Sequence, residues 1–248
     1  MFRSPRRLAV VAALAVVLVA ACAPATVHPS PTAASPSSAP TVPPLPTFVP
    51  VMARSLTKVI YLTFDDGPNP VWTPAILTLL EEAGAHASFF VIGENAARWP
   101  WLVQQEAEDG DTVGDHTWTH PNLTDLSASA VSAELARDKN LITELTGVTP
   151  TLWRPPYEAF NPSVVAIASR LGLKMQLWSD TTGDWQLPGT ELIVLRVLAA
   201  LHNGMVVLLH DGGGYTRAET VAAVAILIPK LEAAGYRLAA LPPEGMGW

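Results

Sequence analysis

The sequence predicts an α/β fold whose parallel sheet, about seven strands wide, is curled into a barrel. Three observations lead there. From Lys58 onward, short β-type runs alternate with stretches of helical periodicity, and crossover helices return a chain to a parallel neighbour. The part of the chain able to build a core is under 200 residues long, the size of one domain. Nearly every unusual polar cluster directly follows a β-type run, on the rim where parallel α/β folds form their sites. Turns without function would scatter over both ends.

The elements follow in order. The first strand, residues 59–64, ends on Asp65-Asp66 and is stopped by Gly67-Pro68. Thr73-Pro74 opens a helix through AILTLLEEAG that Gly84 closes. Strands at 87–92 and 111–115 come next, with His116 immediately after the second. Ser127 opens ASAVSAELARDKNLITELTG, closed by Gly147, and a short strand at 151–154 ends on Arg154. Pro162 opens SVVAIASRLG; the strand at 173–178 then leads to Asp180 and Asp184. The strand at 205–210 ends on His210-Asp211, and RAETVAAVAILIPKLEAAG precedes the last strand, 236–241. The stretches 93–110 and 187–204 carry no assignment. Gly212-Gly213-Gly214 reads as a flexible turn, since no helix opens after it in the manner of a phosphate cradle.

Three regions divide the chain. Residues 1–21 combine a basic leader, MFRSPRR, with the apolar run LAVVAALAVVLVAA. That run is shorter than the ~20 residues of a membrane span and has the length of a secretory h-region. Cys22 follows at once and is the sole cysteine, so no intramolecular disulfide can form. VAAC resembles the lipobox of bacterial lipoproteins, which makes Cys22 the expected lipidation site and membrane anchor. Ordinary cleavage near Ala23 would discard it instead. Residues 22–50 are rich in Pro, Ser, Thr and Ala and lack charge; fully extended at ~3.1 Å per residue, such a linker reaches roughly 90 Å. Residues 51–248 form the expected domain.

Charge narrows the partners. Beyond residue 56 the chain carries 11 basic and 22 acidic side chains, which is no footprint for nucleic acid.

Asp65-Asp66 raises the question of function. Two carboxylates ~4 Å apart at an effective dielectric of ~20 repel by about 4 kcal/mol, so one stays protonated unless a cation is near. HTWTH supplies His116 and His120, with Pro121 favouring a tight loop or single turn over a helix. Two His and one carboxylate make a catalytic metal set that leaves positions open for water and substrate. Asp66 is the natural third ligand, and Asp65 is then free to act as a base. Zinc suits these ligand types; cobalt and manganese also fit.

TFDDGP, HTWTHP, RPPY, DW and LLHD, in that order, resemble the five motifs of the polysaccharide deacetylases, the NodB-homology domains of carbohydrate esterase family 4. The resemblance runs from about Lys58 to Leu241. It implies a distorted (β/α) barrel and metal-dependent removal of N- or O-acetyl groups from polysaccharides. By matching positions it implies Asp65 as general base, with Asp66, His116 and His120 as metal ligands. Arg154 would hold Asp65 ionised, and the Tyr157 N–H would help bind the oxyanion. Asp184 would orient His210, the general acid, while Trp185 and Leu208 would wall the acetyl pocket.

Two departures stand out. Glu158 replaces the Gly that usually follows the RPPY tyrosine; if that position needs positive φ, Glu strains the turn. Thr181 stands where the fourth motif commonly has its first Asp, with Asp180 one residue early. The expected activity is deacetylation of an extracellular polysaccharide, with the N-acetyl sugars of peptidoglycan favoured by the outward address. Chitin oligomers and acetylxylan are alternatives, as is a non-catalytic carbohydrate-binding wall protein on the same fold. The expected partners are the polysaccharide and, through Cys22, the membrane; the chain is expected to be a monomer.

Overall fold

The structure, a computed structural model, describes residues 58–246. The leader, Cys22 and the proline-rich stretch lie outside them. In chain order the elements are β1 (Lys58–Gly67), α1 (Trp72–Ala83), β2 (Ser88–Val91), α2 (Gly93–Arg98), α3 (Pro100–Glu108), β3 (Thr112–Asp115), α4 (Ala128–Thr146) and β4 (Leu152–Trp153). There follow α5 (Pro162–Arg170), β5 (Lys174–Met175), β6 (Asp180–Thr181), α6 (Thr190–Ala200), β7 (Met205–His210), α7 (Ala218–Ala233) and β8 (Tyr236–Leu238).

All strand pairings are parallel, in the order β5-β4-β3-β2-β1-β7-β6. β1 is the hub. Ile60 pairs with Met205 of β7 on one side and Leu238 of β8 on the other. From Thr63 that second side passes to Ser88 of β2. The sheet is therefore seven strands wide, with β8 beneath β2. Its edges, β5 and β6, do not pair with each other, so the barrel stays open along one seam. This is the distorted (β/α) barrel expected.

Alternation along the strands sorts the side chains. Ile60, Leu62 and Phe64 of β1, Phe89 and Val91 of β2 and Met205, Val207 and Leu209 of β7 face one large core. There Ile76, Leu77 and Leu80 of α1 and Val224, Leu227 and Leu231 of α7 cover them. Full burial of each such side chain contributes about 1.5–3 kcal/mol. The opposite face of the same strands carries Thr63, Asp65, Leu208 and His210. The site therefore belongs to the inner face at the strands' carboxyl ends.

The helices at 72–83, 128–146, 162–170 and 218–233 match the expected ones. Ser127 Oγ caps α4 through the Ala130 N–H, and Gly147 ends it at φ 72°. Asn161 caps α5 ahead of Pro162. Three helices and one strand fill the unassigned stretches or extend the pattern. α2 and α3 are short pieces separated at Trp99-Pro100, and neither is long enough to show a clear period. α6 is TELIVLRVLAA, whose β-branched residues resemble a buried strand until Ile193, Val194 and Val197 turn to the core. The strand expected at 173–178 is only Lys174–Met175, and β6 follows separately, placing Asp180 within a strand rather than beyond one. The last strand likewise stops at Leu238.

Candidate active site

The end of β1 solves the problem of two adjacent carboxylates. Asp65 is level with Phe90 of β2 and Gly67 with Val91, so Asp66 is an extra residue, a bulge with φ 70°. Neighbours on a regular strand point to opposite faces; the bulge lets Asp65 and Asp66 line one cleft. Asn95 Nδ2 donates to the Asp66 carbonyl at 2.9 Å. The glycines after β7 are required by the same feature. A Cβ on Gly212 would collide with the Asp66 backbone, and one on Gly213 (φ 64°) with its carboxylate. The run reads as a mere turn in the sequence, and here it is a close-approach surface.

The loop after β3 presents the two imidazoles. Thr117 (φ 69°) and His120 (φ 59°) are both left-handed, so the segment is a tight loop and no helix. His116 Nδ1 lies 2.8 Å from the Arg154 carbonyl, which can only accept; the lone pair of the neutral ring therefore resides on Nε2. His120 Nδ1 meets the Tyr157 hydroxyl at 3.1 Å. Both Nε2 atoms approach Asp66 Oδ1, at 3.4 Å from His116 and 3.1 Å from His120. That buried oxygen accepts no aligned hydrogen bond. Burial acts to raise the Asp66 carboxyl, but His116 and His120 outweigh it and hold the group well below the usual range. Burial likewise pulls His116 down, while Asp65 and Asp66 prevail and raise it. Three ligand atoms within 4.8 Å of one another, in a field that attracts positive charge, fit a divalent cation.

On one side of this set, Arg154 holds Asp65. Its Nη1 donates to Asp65 Oδ1 at 2.7 Å and to Thr63 Oγ1 at 2.8 Å, and its Nε to the Gln176 carbonyl at 3.0 Å. The guanidinium is fully buried, lying 4.1 Å from the Phe90 ring. On the other side, Asp184 Oδ1 lies 2.8 Å from His210 Nδ1, and its Oδ2 accepts the His210 N–H at 2.9 Å and the Thr220 hydroxyl at 2.8 Å. Burial works to raise Asp184, yet these bonds keep it lowered. Burial would lower His210, but the Asp184 carboxylate raises it instead. With Nδ1 engaged, Nε2 is the ring nitrogen that remains for chemistry, and His210 lines the cleft. Trp185 stands edge-on to His210 at 5.4 Å.

These groups share a cleft of about 440 Å³ whose lining includes Asp65, Asp66, His116, His120, Leu208 and His210. Pro155, Tyr157, Glu158, Trp178, Thr181 and Trp185 complete its walls. Arg154 and Asp184 lie behind it, each against its partner. Tyr157 and Glu158 have φ 58° and 55°, so the position usually filled by Gly is indeed left-handed, and Glu158 occupies it under strain. Thr181 faces the cleft; Asp180 points away, 3.9 Å from His202. Sequence reasoning did not reach Thr63, the Tyr157 hydroxyl or Thr220. All act through contacts distant in sequence, with no local pattern to mark them.

Fold and site together define a hydrolase with a place for a divalent cation. The chain belongs to the polysaccharide deacetylase family, whose model, described as Polysaccharide deacetylase, matches residues 53–176. A peptidoglycan-N-acetylglucosamine deacetylase of Bacillus cereus is 40% identical over 73% of this chain and 84% of its own length. A chitooligosaccharide deacetylase of a Bradyrhizobium strain is 37% identical over 75% of this chain and 90% of its own. Among solved structures, the peptidoglycan deacetylase PdaC of Bacillus subtilis superposes with a TM-score of 0.69 at 34% identity, covering 75% of this chain and 88% of that one.

Proposed function

We propose that the protein removes N-acetyl groups from peptidoglycan amino sugars outside the cytoplasmic membrane, with Cys22 as a lipid anchor. The observation that carries the chemistry is the pairing of two buried supports, Arg154 behind Asp65 and Asp184 behind His210, on either side of the Asp66–His116–His120 set. A binding protein has no use for both. The substrate rests on the peptidoglycan deacetylase relatives; the chitooligosaccharide relative favours chitin oligomers as the second choice.

In this reading Asp66, His116 and His120 would hold one divalent ion, zinc by ligand type, which would supply Lewis-acid polarisation of the acetyl carbonyl and a lowered pKa for water. Asp65, paired with Arg154 at 2.7 Å, takes a proton from the attacking water as its oxygen adds to the acyl carbon. The Tyr157 N–H faces the oxyanion that forms. On collapse the C–N bond breaks, and His210 Nε2 gives its proton to the departing nitrogen, so acetate and an amine leave. Asp184 holds His210 in the tautomer and charge state this needs. Trp185 and Leu208 enclose the acetyl methyl.

Acetate release by the domain from residue 51 onward, assayed on peptidoglycan, chitooligosaccharide and acetylxylan with zinc, cobalt and manganese, tests the proposal. Release from peptidoglycan at the highest kcat/KM is expected. Glycan retention without acetate at any metal loading would make the protein a binding module instead.

A further inference from the structure

One face of α4 grips the back of the loop that carries His116 and His120. Glu134 accepts the Thr119 N–H at 2.7 Å and the Thr119 hydroxyl at 3.0 Å. The Arg137 guanidinium lies 3.6 Å over the Trp118 ring. Asp138 Oδ2 accepts the His116 N–H at 3.1 Å, sharing it with the Val91 carbonyl at 3.0 Å. The next N–H, that of Thr117, goes to Asp115 Oδ1 at 2.8 Å. Two consecutive backbone donors therefore end on two carboxyls, both fully buried.

The remaining oxygens, Asp115 Oδ2 and Asp138 Oδ1, are buried without a hydrogen-bond partner. Leu135 and Ile142, flanking Asp138 on the same helix, are buried apolar residues. A Leu at 138 would extend that stripe; the carboxyl there has a different purpose. Thr117 is left-handed at φ 69°, a conformation a β-branched residue keeps only when its surroundings over-determine it.

We propose that Asp138 is a positioning residue for the metal site: by accepting the His116 N–H it fixes the backbone from which both imidazoles reach Asp66. The inference rests on the reading of Asp66, His116 and His120 as metal ligands. Outer partners of metal ligands typically change affinity about 10–100-fold when removed. An Asn side chain has an acceptor for the His116 N–H, so it keeps this bond.

The test is the dissociation constant for Co²⁺ by competition titration, with melting temperature recorded alongside, for wild type, Asp138→Leu, Asp138→Asn and Leu135→Ala. Asp138→Leu should bind roughly 10–100-fold more weakly. Asp138→Asn should stay within about threefold of wild type, since that hydrogen bond is kept. Leu135→Ala should lower the melting temperature without weakening Co²⁺ binding. Equal affinities in Asp138→Leu and wild type would overturn the proposal. So would parallel weakening in Leu135→Ala, which would make affinity a mere reflection of stability. Should Asp138→Leu not fold, Asp138→Asn decides, and loss of metal by that variant overturns the role. A wild-type protein that binds no cation would instead remove the metal reading itself.

Discussion

Glu158 and Asp184 show how single residues set the working limits of the site. Glu158 sits at φ 55° on the turn that carries the Tyr157 N–H, where a side chain costs about 1–2 kcal/mol that glycine avoids. Glu158→Gly should raise the melting temperature by about 2–4 °C per kcal/mol recovered, measured by thermal denaturation; a loss of acetate release in the same variant would show that the carboxylate touches substrate. Asp184→Asn removes the charge that raises His210. The acid must be protonated to act, so activity falls as pH rises through the His210 pKa. In Asp184→Asn the alkaline limb of the kcat profile should move to lower pH, with kcat reduced by about 10²–10⁴-fold at its former optimum. An unshifted limb would assign that limb to another group.

At the scale of elements, each strand end delivers its share of the cleft: the bulge of β1, the loop after β3, the turn after β4 and the last residue of β7. The motif residues were legible because they lie within a few positions of one another and each ends a recognisable run. Period-two alternation even places Asp65, Leu208 and His210 on one face. What escaped was the support behind them. Thr63 and Arg154 are separated by 91 positions and Asp184 and Thr220 by 36, and nothing local in TFDDGP or in α7 announces those bonds. α6 was missed because its β-branched composition suits strand and helix alike, and α2 and α3 because Pro100 cuts their pattern short. The glycines after β7 offer a test at this level. Gly213→Ala places a Cβ against the Asp66 carboxylate in a left-handed position, and should weaken Co²⁺ binding roughly tenfold by analogy with other outer-sphere changes. Unchanged affinity in a titration would show that the turn yields instead.

For the whole molecule, buried acids and raised histidines give an unusual pH dependence. Burial lifts Asp111 and Asp211 each to about 7, above the 3.8 of an exposed group, so between these values the folded chain binds more protons than the unfolded one. Stability therefore falls as pH rises through that window. His116 and His210, raised in the fold, act in the same direction, their contribution being lost as pH passes their folded values. Asp66 and Asp184, lowered in the fold, are already ionised in both states above pH ~5 and add no slope there. The metal-free domain should thus have a higher urea midpoint at pH 5 than at pH 8; a midpoint that rises instead would show these carboxyls to be ionised in the fold.

The central claim is a division of labour between two neighbouring carboxylates, one for a cation and one for a proton. Metal content and acetate release, measured together on Asp65→Asn and Asp66→Asn, test it most directly. Asp65→Asn should retain one equivalent of metal while turnover falls by about 10²–10⁴-fold, and Asp66→Asn should lose both. Full metal content in Asp66→Asn, or wild-type acetate release by Asp65→Asn, would contradict the account.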